Sequence, residues 1–146
     1  QVVLGYDGSP ASNRAAAFAF RHAEAIGCGV VAVSVEATRG EPETHEFNPE
    51  DATPGSDTSA FHSPVIVTAA AFPDVPVSFV TGTGRPAEVL LAEAVGAELL
   101  VVGSRGSGGF SGLIMGSVSQ KVLAHASCPV AVLHPGISAE TASGIA

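Results

Sequence analysis

Gly103-Ser-Arg-Gly106, nine further residues, and then Gly116-Ser117 form the stretch of this chain best suited to chemistry. An apolar run over 98–102 precedes it, and a helical pattern over 118–126 follows. The spacing predicts a strand that feeds a glycine-rich loop, which in turn feeds a helix N-terminus. Glycine lets a backbone approach a ligand closely, and free N–H groups at a helix start attract an anion. The expected chemistry is therefore phosphate binding.

Other constellations fail. No G-x-x-x-x-G-K-[ST] is present, and the sole lysine, Lys121, lies beyond the loop, which excludes a P-loop. No G-x-G-x-x-G opens a helix directly after a strand. Val102-Gly-Ser104-Arg-Gly106 approaches a nucleophile elbow but lacks its first glycine, and a small hydrolase using Ser104 or Ser107 is the rival reading it leaves. His22, His45, His62, His125 and His134 are scattered without metal-ligand spacing, and the acidic segment has no EF-hand pattern.

The elements that must position the glycine stretch alternate. Strands are expected at 2–5, 30–35, 77–81, 98–102 and 129–133. A helix over 10–26 has Ser9 as N-cap, Pro10 in its first position and Gly27 at its end. A second helix, with Pro64 interrupting or starting it, is expected from about 59 to 72, and a third runs from Pro86 to about 95, ended by Gly96. This βαβα order predicts an α/β fold of the doubly wound, three-layer kind: a five-stranded parallel sheet with helices on both faces. Ligands in such sheets sit beyond the strand carboxyl ends, where strand order reverses. The loop 6–9 would meet the loop 103–116 there if the first and fourth strands are neighbours.

Residues 1–136 read as one domain with a mobile acidic loop at about 37–58, and 137–146 as a flexible tail. The 146-residue chain is 46% apolar, has no Trp and carries a formal charge of −8, with six basic residues. That balance excludes the basic patch needed for sequence-independent nucleic-acid or acidic-membrane binding. An anion would be held mainly by backbone dipoles or with a metal ion. Cys28 and Cys128 supply no disulfide framework, in keeping with a cytoplasmic setting.

The ungapped G-2x-G-9x-G-[ST] pattern from Gly103 to Ser117 resembles that of ATP-binding universal stress proteins. The opening Val2-Val-Leu-Gly-Tyr-Asp-Gly-Ser9, Gly84-Arg-Pro-Ala87 and Ser127-Cys-Pro-Val-Ala-Val132 are also similar to that family. The resemblance implies strand order 3-2-1-4-5, Rossmann-like and akin to the adenine nucleotide alpha hydrolases. It implies binding of ATP with Mg2+ or Mn2+, with at most slow hydrolysis, and no catalytic residue. Asp7 would contact the ribose or a phosphate-bound metal, Val35 would hold adenine through its backbone, and Val102 would pack near the nucleoside. Gly103, Arg105 and Gly106 would lie along the phosphates, Gly116, Ser117 and Val118 would close around them, and Gly84 would approach the sugar. Family members also imply a homodimer through the last strand, and the text Ala15-Ala-Ala-Phe-Ala-Phe20 resembles the second half of tandem stress proteins.

Simpler readings stand beside these. Ser117-Val-Ser-Gln120 also spells an S-x-x-Q capping box, Asp7 also suits a turn cap, and Arg105 also suits a solvated loop cation. A family member that binds no nucleotide and serves only as a dimeric interaction module is the alternative function.

Overall fold

The computed structural model describes residues 1–36, 43–45, 57–104 and 115–134. Within them the order is β1 (Val2–Gly5), α1 (Pro10–Ile26), β2 (Val30–Glu36), β3 (Glu43–His45), α2 (Asp57–Ala70), β4 (Val77–Thr83), α3 (Pro86–Glu93), β5 (Leu99–Gly103), α4 (Ser117–His125) and β6 (Val130–Leu133). Arg105, Gly106, Ser107 and the tail 137–146 lie outside the described residues, as does most of the acidic segment.

One sheet runs β3-β4-β2-β1-β5-β6. Its five parallel strands stand in the expected order 3-2-1-4-5, with Val2 opposite both Val30 and Leu99. The sixth, β3, pairs antiparallel with β4, Thr44 opposite Val80. An unbroken loop over 37–58 is therefore corrected: three polar residues carry no apolar period that would mark a strand, and pairing with β4 supplies it instead.

The β1 strand is buried on every residue, as a central parallel strand covered on both faces must be. Alternation splits its side chains: Val2, Leu4 and Tyr6 pack with α1 and Val65 of α2, whereas Val3 packs with Leu90 of α3 and Val122 of α4. Helix α1 reaches the sheet through Ala11, Ala15, Ala19 and Ala23, spaced four apart on one stripe. Small side chains there let the helix approach closely. Its start is fixed by Ser9, whose Oγ accepts from the Ser12 N–H at 3.2 Å, and its end by Gly27 at φ 71°. In α2, Pro64 lies inside the helix, and Phe72 beyond it stacks on Phe20 with centroids 6.0 Å apart. Among the described residues no helix is long and apolar enough to cross a membrane.

Candidate functional site

Strand order reverses at β1: the chain proceeds outward through β2 and β4, then returns to place β5 on the other side of β1. The carboxyl ends of β1 and β5 therefore open side by side, the place where a doubly wound sheet leaves a crevice.

Asp7 follows β1 directly. Its Oδ1 accepts from the Ser9 N–H at 2.9 Å, so the carboxylate braces the turn into α1 while the residue stays exposed. The turn-cap reading of Asp7 is thus met. Beneath it, Tyr6 is 5% exposed and donates its hydroxyl to Asn13 Oδ1 at 3.1 Å. Burial first, and the Asp7 carboxylate second, push the Tyr6 phenol above its ordinary value of 10.0.

Gly103 ends β5 against the first turn of α1. A Cβ built there would sit 2.8 Å from Ala11 Cβ and 3.0 Å from the Ser12 nitrogen. Only glycine permits that approach. From the opposite face, Ser119 in the first turn of α4 donates its hydroxyl to the Gly103 carbonyl at 3.1 Å and the Ser104 carbonyl at 2.9 Å. The Gly116 N–H also bonds the Ser104 carbonyl, and the Ser104 N–H bonds Leu133 at 2.8 Å. The end of β5 is thus clasped between the starts of α1 and α4, which brings Asp7, Gly103, Gly116 and Ser117 to one sheet edge.

Gly116 is the N-cap of α4, in extended backbone and with no side-chain cap bond. Ser117 is the first helical residue and exposed. The capping-box reading is corrected accordingly: Gln120 sends its Nε2 to the Met115 carbonyl at 3.3 Å, and among the described residues no side chain caps the helix start. Val118 is half-buried against the α3–α4 core, and Val102, 3% exposed, lies in that core beneath the edge.

Val35 lies near the carboxyl end of β2. The last rung between β1 and β2 runs from the Tyr6 N–H to the Val33 carbonyl at 2.9 Å. Backbone groups alternate along a parallel strand, so the N–H and C=O of Val35 face the same side, past the end of β1. Gly84, at φ 105°, donates its N–H to the Glu36 carbonyl at 3.2 Å and so joins the same edge. Among the described residues no group of three His, Cys, Asp or Glu side chains gathers for a metal.

Two serines matter beyond the phosphate motif: Ser119, which motif reading missed, and Ser104, which it offered only as a nucleophile. Ser119 is 2% exposed, and a small polar residue on an inward helix stripe signals a tie to backbone. Ser104 is 0% exposed, and its Oγ has no hydrogen-bond partner among the described residues. So deep a hydroxyl is out of reach of a substrate, which removes it as a nucleophile.

A parallel doubly wound domain whose first and fourth parallel strands end at a shared, glycine-lined edge is the class that fold and geometry define. The profile of the universal stress protein family matches residues 1–134, and the chain belongs to that family. It is 39% identical over 139 residues to universal stress protein Rv2005c of Mycobacterium tuberculosis, covering 90% of this chain and 44% of that one. The chain thus spans less than half the length of this relative. A Thermus aquaticus universal stress protein is 38% identical over 136 residues, covering 88% of this chain and 94% of its own. A universal stress protein crystallised in complex with cAMP superposes with TM-score 0.68 at 26% identity, covering 92% of this chain and 96% of the other. An Arabidopsis thaliana family protein with AMP bound shares the fold, with TM-score 0.62 at 19% identity over 97% of both chains.

Proposed function

We propose that this domain binds ATP together with a divalent cation, Mg2+ or Mn2+, and acts as a nucleotide-responsive regulator in the stress response. The observation that carries the proposal is the gathering of Asp7, the Val35 backbone, Gly103 and the open start of α4 at one sheet edge. Adenine would be held by the Val35 main chain and the sugar between Asp7 and Gly84. The phosphates would run along Gly103 to α4, where Ser117 offers a hydroxyl and an N–H. The helix dipole there adds ~0.3–1 kcal/mol per charge at an exposed site. Arg105 and Gly106 would complete the cradle from the loop. A cation would ride with the phosphates, with Asp7 as the carboxylate this chain supplies. The names of solved relatives, with cAMP, AMP and dAMP, support an adenine nucleotide as the ligand class.

The reading assigns binding and no catalytic residue. It includes a cytoplasmic setting and a homodimer paired through the last strand, whose four residues are half-buried at the sheet's open edge. Isothermal titration with MgATP and with AMP tests the ligand. Binding that weakens roughly ten-fold in Ser117→Ala is the expected result, the scale of one charge-assisted hydrogen bond. Absence of heat at millimolar nucleotide overturns the reading in favour of a dimeric interaction module. Hydrogen exchange over 103–117 should also slow on adding MgATP.

A further inference from the structure

A groove of about 450 Å³ lies between α3 and α4, lined by Arg85, Pro86, Ala87, Ser117, Val118 and the α4 residues Gln120, Lys121, Ala124 and His125. None of these is a carboxylate, in a chain whose formal charge is −8. Two of the six basic residues, Arg85 and Lys121, meet here and are joined by His125. Both helices also begin at the groove without a side-chain cap: Arg85 is the N-cap of α3 and Gly116 that of α4. Their first-turn N–H groups and dipoles add positive potential to that of the side chains. Arg85 pairs with Glu88, whose Oε1 lies 3.3 Å from its guanidinium, with both side chains well exposed. So exposed a pair is easily exchanged for a better anion.

Polar donors are spread along the groove. Ser117, Lys121 and His125 recur every four residues on one face of α4, so they extend about 12 Å from the helix start at 1.5 Å per residue. A row of donors on one side and a guanidinium on the other suits a linear anion that carries charge along its length. We infer that the α3–α4 groove binds a linear oligophosphate, either free or as the phosphate tail of a nucleotide. The inference shares the α4 start, with Ser117 and Val118, with the nucleotide reading and goes beyond it in Arg85, Lys121 and His125.

The test is calorimetric titration of the full chain with inorganic tripolyphosphate at low ionic strength. Wild type, Lys121→Gln, Arg85→Gln and Arg14→Gln are compared, the last removing an equal charge from α1 on the opposite face of the sheet. Lys121→Gln and Arg85→Gln should each weaken binding about five- to ten-fold, while Arg14→Gln stays within about two-fold. No binding of tripolyphosphate at millimolar concentration overturns the inference. So does an equal loss in all three variants, which would report net charge alone. Parallel titrations with MgATP and AMP separate the sources. If Lys121→Gln weakens ATP and spares AMP, the groove holds a nucleotide tail. If it weakens tripolyphosphate alone, the ligand is a free oligophosphate. A failure of AMP to bind would count against the nucleotide reading and leave the groove untouched.

Discussion

Gly103 and Ser104 are adjacent and face opposite constraints. A methyl group at Gly103 would press on Ala11 and the Ser12 backbone at 2.8–3.0 Å, so Gly103→Ala must move β5 from α1. Overpacking of this kind costs about 1–3 kcal/mol, and denaturant unfolding should register it together with weaker nucleotide binding. Ser104→Ala should act the other way. A buried hydroxyl without a partner costs about 1–3 kcal/mol, so removing the Oγ should raise the midpoint of thermal unfolding. Tyr6 is the only tyrosine in the chain, which makes its ionisation readable by phenolate absorbance. Its raised value means that the folded state holds the proton longer than the unfolded chain does. The associated stability is fully present below the unfolded value near 10.0 and is lost as pH rises through the folded one. Unfolding curves should therefore weaken on the alkaline side, and Tyr6→Phe should remove that part of the slope. At this scale the sequence marked Gly103 by motif spacing, but no pattern separates an orphaned Ser104 from any other serine after a strand.

Among the elements, local chemistry was legible where it is self-contained. Ser9-Pro10 and Gly27 mark both ends of α1, because cap, first-turn proline and left-handed glycine each act within a few residues. The capping-box alternative at the start of α4 fails for a related reason: a serine three residues before Gln120 fits such a box, yet bonds to the end of β5 set the helix start at Gly116. Tertiary contact decided that boundary. The same holds for β3, a strand only because β4 lies beside it. The tie from α4 to β5 rests on Ser119, which bonds two successive carbonyls. Ser119→Ala leaves the Gly103 carbonyl without that donor, and should destabilise by about 1–2 kcal/mol in chemical denaturation. It should also loosen the α4 start that the nucleotide reading uses, so affinity for MgATP should fall with it.

For the molecule as a whole, sheet order could be inferred from alternation and resemblance, while the open edge had to be located by register. Pro129 and Leu133 turn their carbonyls toward β5, where they accept from the Leu100 and Ser104 N–H groups at 2.9 and 2.8 Å. Backbone direction alternates along the strand, so Ala131 also faces β5, whereas Val130 and Val132 present N–H and C=O to the outside. An edge of this kind is a template for a second copy, and half-buried apolar side chains along it add area to such a pairing. The two kinds of position make the homodimer testable without confusing association with folding. Proline at Val132 removes an outward donor and spares the β5 ladder, so Val132→Pro should give a folded monomer in sedimentation at micromolar concentration. Proline at Ala131 removes an inward donor, so Ala131→Pro should lower thermal stability whatever the oligomeric state. A wild-type chain that sediments as a monomer, or a Val132→Pro chain that remains a dimer, rules out pairing through β6.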